Sequence, residues 1–189
     1  MRSTTWFVIV ADSYPTVVDG VYRAEGDVIP VSRLDIVGLI NDRYQIKTRR
    51  GRLCVHKNDK TLLQEMFIVL DRTSYIRPHR HRGKIESLCV LEGKGTAIFF
   101  DDEGGIAEVI RLSPYGVDES QFFYRLEAMT YHTILVESDY LVFHEVSEGP
   151  FEVDESEFAP WSPDANNEYQ RNRYCSKLRA LLSKSEFSI

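Results

Sequence analysis

The chain of 189 residues has only three cysteines, and Cys54, Cys89 and Cys175 are odd in number, widely spaced and without a Cys-x-x-Cys pair. They imply reduced thiols in a cytoplasmic protein, none of which needs a catalytic role. Basic charge is also short, with 23 Lys and Arg against 29 Asp and Glu and a formal net charge of -6. That balance offers no broad positive field to a phosphate backbone or an anionic lipid surface, so neither nucleic acid nor membrane is an expected partner. No segment approaches the ~20 apolar residues of a membrane-spanning helix. The opening Met1 to Ala11 has one basic residue and an apolar run that Asp12 closes. The run falls short of the roughly seven to fifteen residues of a signal-peptide core, so it reads as a strand. No helix-turn-helix pattern is present, and Asp101-Asp102-Glu103-Gly104-Gly105 does not follow EF-hand spacing. What remains is one soluble globular domain with 43% hydrophobic residues and a sizeable core.

Histidine is scarce too, and three of the five stand where a metal ion could use them. His79 and His81 lie at i and i+2, which puts both on one face of a strand. Glu86 lies at odd spacing from both and would point the other way on an uninterrupted strand. A turn at Arg82-Gly83-Lys84 folds it back beside the imidazoles in a hairpin. His132 opens a β-rich segment in which His132, Ile134 and Val136 share a face, and is the candidate fourth ligand. The competing reading is that such histidines satisfy backbone groups or line a core.

The set His79, His81, Glu86, Gly93 and His132 resembles the two motifs of the cupin superfamily. Thr73 stands where the first motif usually opens with glycine, and Glu127-Ala128-Met129 replaces the Pro-x-Gly before the last histidine. Within the superfamily the chain is similar to WbuC-type cupin metalloproteins through four strings. These are Arg77-Pro78-His79-Arg80-His81, Phe99 to Gly104, Glu145 to Phe151 and Phe158-Ala159-Pro160-Trp161. The resemblance implies an all-β double-stranded β-helix, or jelly-roll barrel. It further implies one divalent ion on His79, His81, Glu86 and His132, and carbohydrate chemistry linked to O-antigen or other surface polysaccharide biosynthesis.

The rest of the chain fits that architecture. Residues 1–45 read as an N-terminal extension with a hairpin and a short helix capped by Ser32, residues 46–163 as the barrel, and residues 164–189 as a helical tail. From Leu62 onward, short apolar and β-branched runs are separated by turn residues, as in an antiparallel sandwich or barrel. Gly95 to Phe100 and Ile106 to Leu112 are two strands joined by the acidic loop, and Tyr140 to Val146 is another. Pro150, Pro160 and Pro163 then interrupt regular structure and end the barrel. Leu178, Leu181 and Leu182 fall at helical spacing in an amphipathic C-terminal helix that packs on the barrel or a partner subunit.

Neutral imidazoles with one carboxylate suit Zn, Fe, Mn, Ni, Co or Cu and leave about two positions open on an octahedral ion. Tyr75 and Arg77 share the parity of the two histidines, so both face the interior if the strand is regular. Arg77 then presents a planar fork to a carboxylate or phosphate, or closes a structural ion pair. Tyr75 and Glu145 are candidate catalytic groups. Glu145 is alternatively an acceptor for a ligand's second ring nitrogen or a barrel-mouth hydrogen-bonding residue. Either His144 or Glu145 must face inward. His144, Trp161 and Phe158 are candidate substrate contacts, whereas His56 falls before the barrel core. Three functions follow: a metal-dependent sugar isomerase or epimerase, a non-catalytic small-molecule binding or sensory module, or a dioxygenase requiring a redox metal. A barrel kept for structure alone is a further reading. Jelly-roll domains share edge strands, so a homodimer is expected.

Overall fold

The computed structural model describes residues 14–151 and 156–185, so the strand expected over Met1 to Ala11 lies outside the described residues. Among the described residues, ten strands form one sheet that curls on itself. A hairpin of β1 (Thr16–Val18) and β2 (Val21–Arg23) turns at Gly20, whose φ of 75° suits glycine. Helix α1 (Arg33–Asp42) follows. Ser32 caps it in a two-way box: its hydroxyl accepts from the Asp35 backbone N–H, while the Asp35 carboxylate accepts from the Ser32 N–H at 2.7 Å.

Strand β3 (Arg50–Cys54) pairs in parallel with β2 and antiparallel with β4 (Leu63–Asp71). After the short β5 (His79–His81), the long β6 (Glu86–Phe100) is laddered with β7 (Ile106–Leu112), β8 (Phe123–Leu126) and β9 (Tyr131–Glu148). Strands β6 and β9 build the barrel. The first half of β6 pairs with the second half of β9 (Glu86 opposite Ser147), and its second half pairs with the first half of β9 (Phe99 opposite His132). The register shifts between the two stretches, at Val90/Glu92 and Gly93/Gly95, and there both strands bend from one wall to the other. Gly93 makes the bend possible. Its φ is 86°, and a Cβ placed on it would sit 2.1 Å from the Tyr140 carbonyl oxygen. The result is the cupin-type barrel that the resemblance implies, with a helix, α2 (Glu168–Ser185), on its outside.

Several elements differ from the sequence reading. The segments around His132 to Val136 and Tyr140 to Val146 are one continuous strand. Strands β5 and β6 are not laddered to each other, because β5 pairs with β9 and with β10 (Ser156–Phe158). The chain therefore returns to the sheet after Pro150 rather than leaving it. Helix α2 begins before Tyr174, and it buries Leu178 and Leu182 but leaves Leu181 45% exposed.

The core is layered. Inside the barrel, Ile68, Leu70, Leu88, Phe99, Ile134 and Phe143 form one cluster. On the outer face of β3, β4 and β9, Leu53, Val69 and Val142 pack under Leu39 of α1. These strands are buried on both faces, which is why Val69-Leu70 and Leu141-Val142-Phe143 read as continuous apolar runs rather than alternating ones. Under α2, Leu178 and Leu182 meet Ile98, Phe100, Tyr131 and Leu135. The thiols of Cys54, Cys89 and Cys175 are all free. No helix of the described residues is long and apolar enough to cross a membrane.

Candidate metal centre

His79 and His81 reach the barrel interior from β5, His132 from the start of β9, and Glu86 from the start of β6. Strand pairing sets the first contact, since His79 lies directly opposite His132. The turn after β5 uses Gly83 at a φ of 70°, and the chain then enters β6 with Glu86 beside the imidazoles. Ring nitrogens of His79, His81 and His132 lie within 4.8 Å of one another and could hold a metal ion. Glu86 Oε2 is 3.2 Å from His81 Nε2, and its Oε1 is 3.9 Å from His132 Nε2.

The rings are oriented from behind. His79 Nδ1 is 2.9 Å from the Arg77 carbonyl, His132 Nδ1 is 3.0 Å from the Thr130 carbonyl, and His81 Nδ1 is 3.2 Å from Ser156 Oγ on β10. The two carbonyl contacts fix the tautomer with the proton on Nδ1, which leaves the Nε2 lone pairs for the interior. Met129 serves this arrangement at a cost. It occupies the position of the motif's usual glycine and adopts a φ of 68°, and its N–H is bonded to the His81 carbonyl at 3.0 Å. The loop geometry persists without the glycine that ordinarily makes it easy.

Protonation states agree with a cation site. Burial, helped by the charges of His132 and His81, lowers His79 to about 3. Burial also lowers His132, against the pull of Glu86. Burial pushes Glu86 upward, but the hydrogen bond from His81 and the neighbouring imidazoles outweigh it and hold the carboxyl below its ordinary range. Neutral imidazoles and an ionised carboxylate are the forms that ligate. With His132 3% and Glu86 5% exposed, the charge of Glu86 is costly unless something positive faces it.

The cluster opens on a cavity of about 470 Å³. Tyr75, Arg77, Glu145 and Phe158 line it, so four of the further candidates face the cavity. Tyr75 donates to the Pro163 carbonyl at 2.9 Å, and burial raises its pKa, so it is a fixed neutral donor. Arg77 stacks on Phe158 with 4.9 Å to the ring centre, donates to Ser162 Oγ at 3.0 Å and pairs with Asp164 at 3.2 Å. Glu145 is the inward member of the His144-Glu145 pair. Burial, with the charge of Glu86 added, raises it to about 8 despite Arg52 and Arg50.

His144 and Trp161 stand apart from the cavity. His144 points to the opposite face of β9, where its ring lies 4.9 Å from that of Phe67 and its Nε2 is 3.7 Å from Glu65. Trp161 packs against Phe100 and Tyr131 and donates to the Asp102 carbonyl at 3.1 Å. His56 is 7% exposed and tied to the Glu65 backbone, away from the site. Asp101 is a turn former whose carboxylate accepts from the Glu103 and Gly105 N–H groups. Sequence reasoning missed Arg50 and Arg52, which line the cavity from β3. Their i, i+2 spacing puts them on one face of the strand, but nothing in the sequence shows that this face is covered.

A model for a domain of unknown function, DUF6016, matches residues 36–112, under half of the chain. No curated protein matches. Among solved structures, an L-ribose isomerase from Cellulomonas parahominis, determined with L-ribose, is 13% identical with a TM-score of 0.49, over 61% of this chain and 72% of that one. A cupin 2 conserved barrel domain protein from Rhodopseudomonas palustris is 13% identical at 0.45, over 68% and 77%. The cupin domain of Schizosaccharomyces pombe Cnp3 is 12% identical at 0.42, over 54% and 66%. The latter two are cupin-domain proteins.

Proposed function

We propose that His79, His81, Glu86 and His132 hold one divalent metal ion, and that the protein is a cytoplasmic WbuC-type cupin that isomerises or epimerises a small carbohydrate-type metabolite connected with surface polysaccharide. The observation that carries the metal reading is the orientation of the rings: each Nδ1 is engaged behind the site, ring nitrogens of the three lie within 4.8 Å of one another, and Nε2 of His81 and of His132 faces Glu86. Histidines that merely satisfy a core have no reason to turn three ring nitrogens and a carboxylate toward one point. The donor set of three neutral nitrogens and one oxygen fits Zn, Fe, Mn or Ni. A bound ion would polarise a carbonyl or hydroxyl oxygen of the metabolite and ease loss of the neighbouring proton.

The chain supplies the remaining groups. Glu145 lies on β9 two residues from Ser147, which pairs with Glu86, so the two residues are diagonal neighbours on one face of the ladder, within reach of each other's long side chains. With its pKa near 8, Glu145 is poised to accept and return a proton at neutral pH. Tyr75 contributes a neutral wall, and Met66, Ile68 and Phe143 exclude water beneath the reacting atoms.

Elemental analysis of protein purified without added metal tests the centre. The wild type should carry about one equivalent of a divalent transition metal, and His81→Ala should lose it while keeping its far-UV dichroism. Equal metal content in the two proteins, or none in the wild type even after reconstitution, ends the reading. Catalysis is tested by deuterium wash-in from heavy water across a panel of sugars and sugar phosphates, with Glu145→Gln lowering the rate on the order of a hundredfold or more. We also propose a homodimer, and light scattering should give about twice the 21.9 kDa of the chain.

A further inference from the structure

The cavity has a second polar corner that the metal centre does not use. Arg50 and Arg52 stand two residues apart on β3, so both side chains leave the same face of the strand. Their partners across the ladder are Leu70 and Ile68 on β4, and both of these also line the cavity. The opposite alternation, Gly51 and Leu53, lies buried on the far side of the strand near Leu39 of α1. The strand has no solvent face to which arginines would ordinarily be sent.

Neither guanidinium forms a hydrogen bond or ion pair with another side chain among the described residues, and Arg52 Nε is buried without a partner. The other cationic groups of the cavity are engaged: Arg77 with Ser162 and Asp164, and Lys84 with the Pro150 carbonyl. The acidic group facing the pair is Glu145, across β4 on β9. Burial and the like charge of Arg52, offset by Glu145, lower Arg50 to about 10, so it remains cationic at neutral pH. Two cations side by side in a walled cavity are unfavourable unless an anion joins them.

We propose that Arg50 and Arg52 form an oxyanion subsite, which takes the phosphate or carboxylate of a small metabolite whose oxygen-bearing far end reaches the metal centre. Two planar forks on adjacent same-face positions suit a tetrahedral or planar oxyanion better than a single cation would. Between the corners run Ile68 and Phe143, an apolar floor for the carbon skeleton. The cavity volume of about 470 Å³ falls within the ~300–1,000 Å³ typical of small-molecule sites. The inference rests on the proposed function for the metal-facing end of the ligand, whereas the anion corner stands on its own residues.

The test titrates the full-length chain with inorganic phosphate and, separately, with malonate, at low ionic strength by calorimetry. One of the two should bind saturably, and Arg50→Gln and Arg52→Gln should each weaken it at least tenfold while metal content is unchanged. Saturation by phosphate assigns a phosphorylated ligand, and saturation by malonate a carboxylated one. In His81→Ala the anion should bind as in the wild type. Anion binding that vanishes in His81→Ala and survives in both arginine variants means the metal holds the anion, which overturns the subsite and leaves the metal reading standing. Metal retained in His81→Ala counts against the metal reading alone. Absence of saturable binding by either anion also overturns the subsite. Should the Gln variants misfold, Arg52→Lys keeps the charge but not the fork and should weaken binding severalfold. Unchanged affinity in that variant overturns the assignment.

Discussion

Glu145 is a carboxyl whose surroundings work strongly against its ordinary ionisation, since burial and the Glu86 charge raise it from 4.5 to about 8. A carboxyl raised in this way keeps its proton in the fold after the unfolded chain has lost it. Its stabilising contribution is therefore whole below about 4.5 and is lost as pH rises toward 8. Glu145→Gln, neutral throughout, should match the wild type near about pH 5 and exceed it by on the order of 1 to 3 kcal/mol near about pH 9 in urea denaturation. A difference that does not grow with pH contradicts the environment assigned to this group. Legibility at this scale followed chemistry. The spacing of His79, His81, Glu86 and Gly93 was readable because each has a fixed geometric duty, and Gly93 in particular admits no Cβ. Arg50 and Arg52 were not readable, because alternation beside Leu53 assigns the arginine side of a strand to water. Only α1, packed over the Leu53 side, reveals that both sides are covered.

At the scale of elements, helix α2 was visible from its leucines, but its contact stripe was not. Leu178 and Leu182 are each 4% exposed against the outer wall, whereas Leu181 projects outward. Calorimetric scans should show Leu178→Ala costing about 2 to 4 kcal/mol by opening a cavity beside Ile98 and Leu135. Leu181→Ala should stay within about 0.5 kcal/mol of the wild type. Equal effects would place the helix on a different face. The strand boundaries were harder still. Ser138 and Asp139 look like turn residues between two strands, yet β9 runs straight through them and merely bends. Ser138 Oγ accepts from the Lys94 N–H at 2.8 Å and donates to the Tyr140 carbonyl, replacing ladder bonds that the bend interrupts. Short-range patterning registers the polar residues; only the partner strand shows that the chain does not reverse.

For the molecule as a whole, the proposed metal centre, with candidate ligands on β5, β6 and β9, would tie the two walls of the barrel together. An ion held there stabilises the folded state by mass action, about 2.7 kcal/mol at a free concentration one hundred times its dissociation constant. Stripping with a strong chelator should lower the Tm of the wild type by several degrees and leave His81→Ala unmoved. A wild type indifferent to chelation tells against the metal-binding assignment. Because Glu86 and His132 sit near the starts of strands that each cross both walls, their side chains converge only after β6 and β9 have zipped along their whole length and rounded the corner at Gly93. Uptake of the ion would then act as a certificate of completed topology: half-assembled chains, whatever their secondary structure, have nowhere to put it.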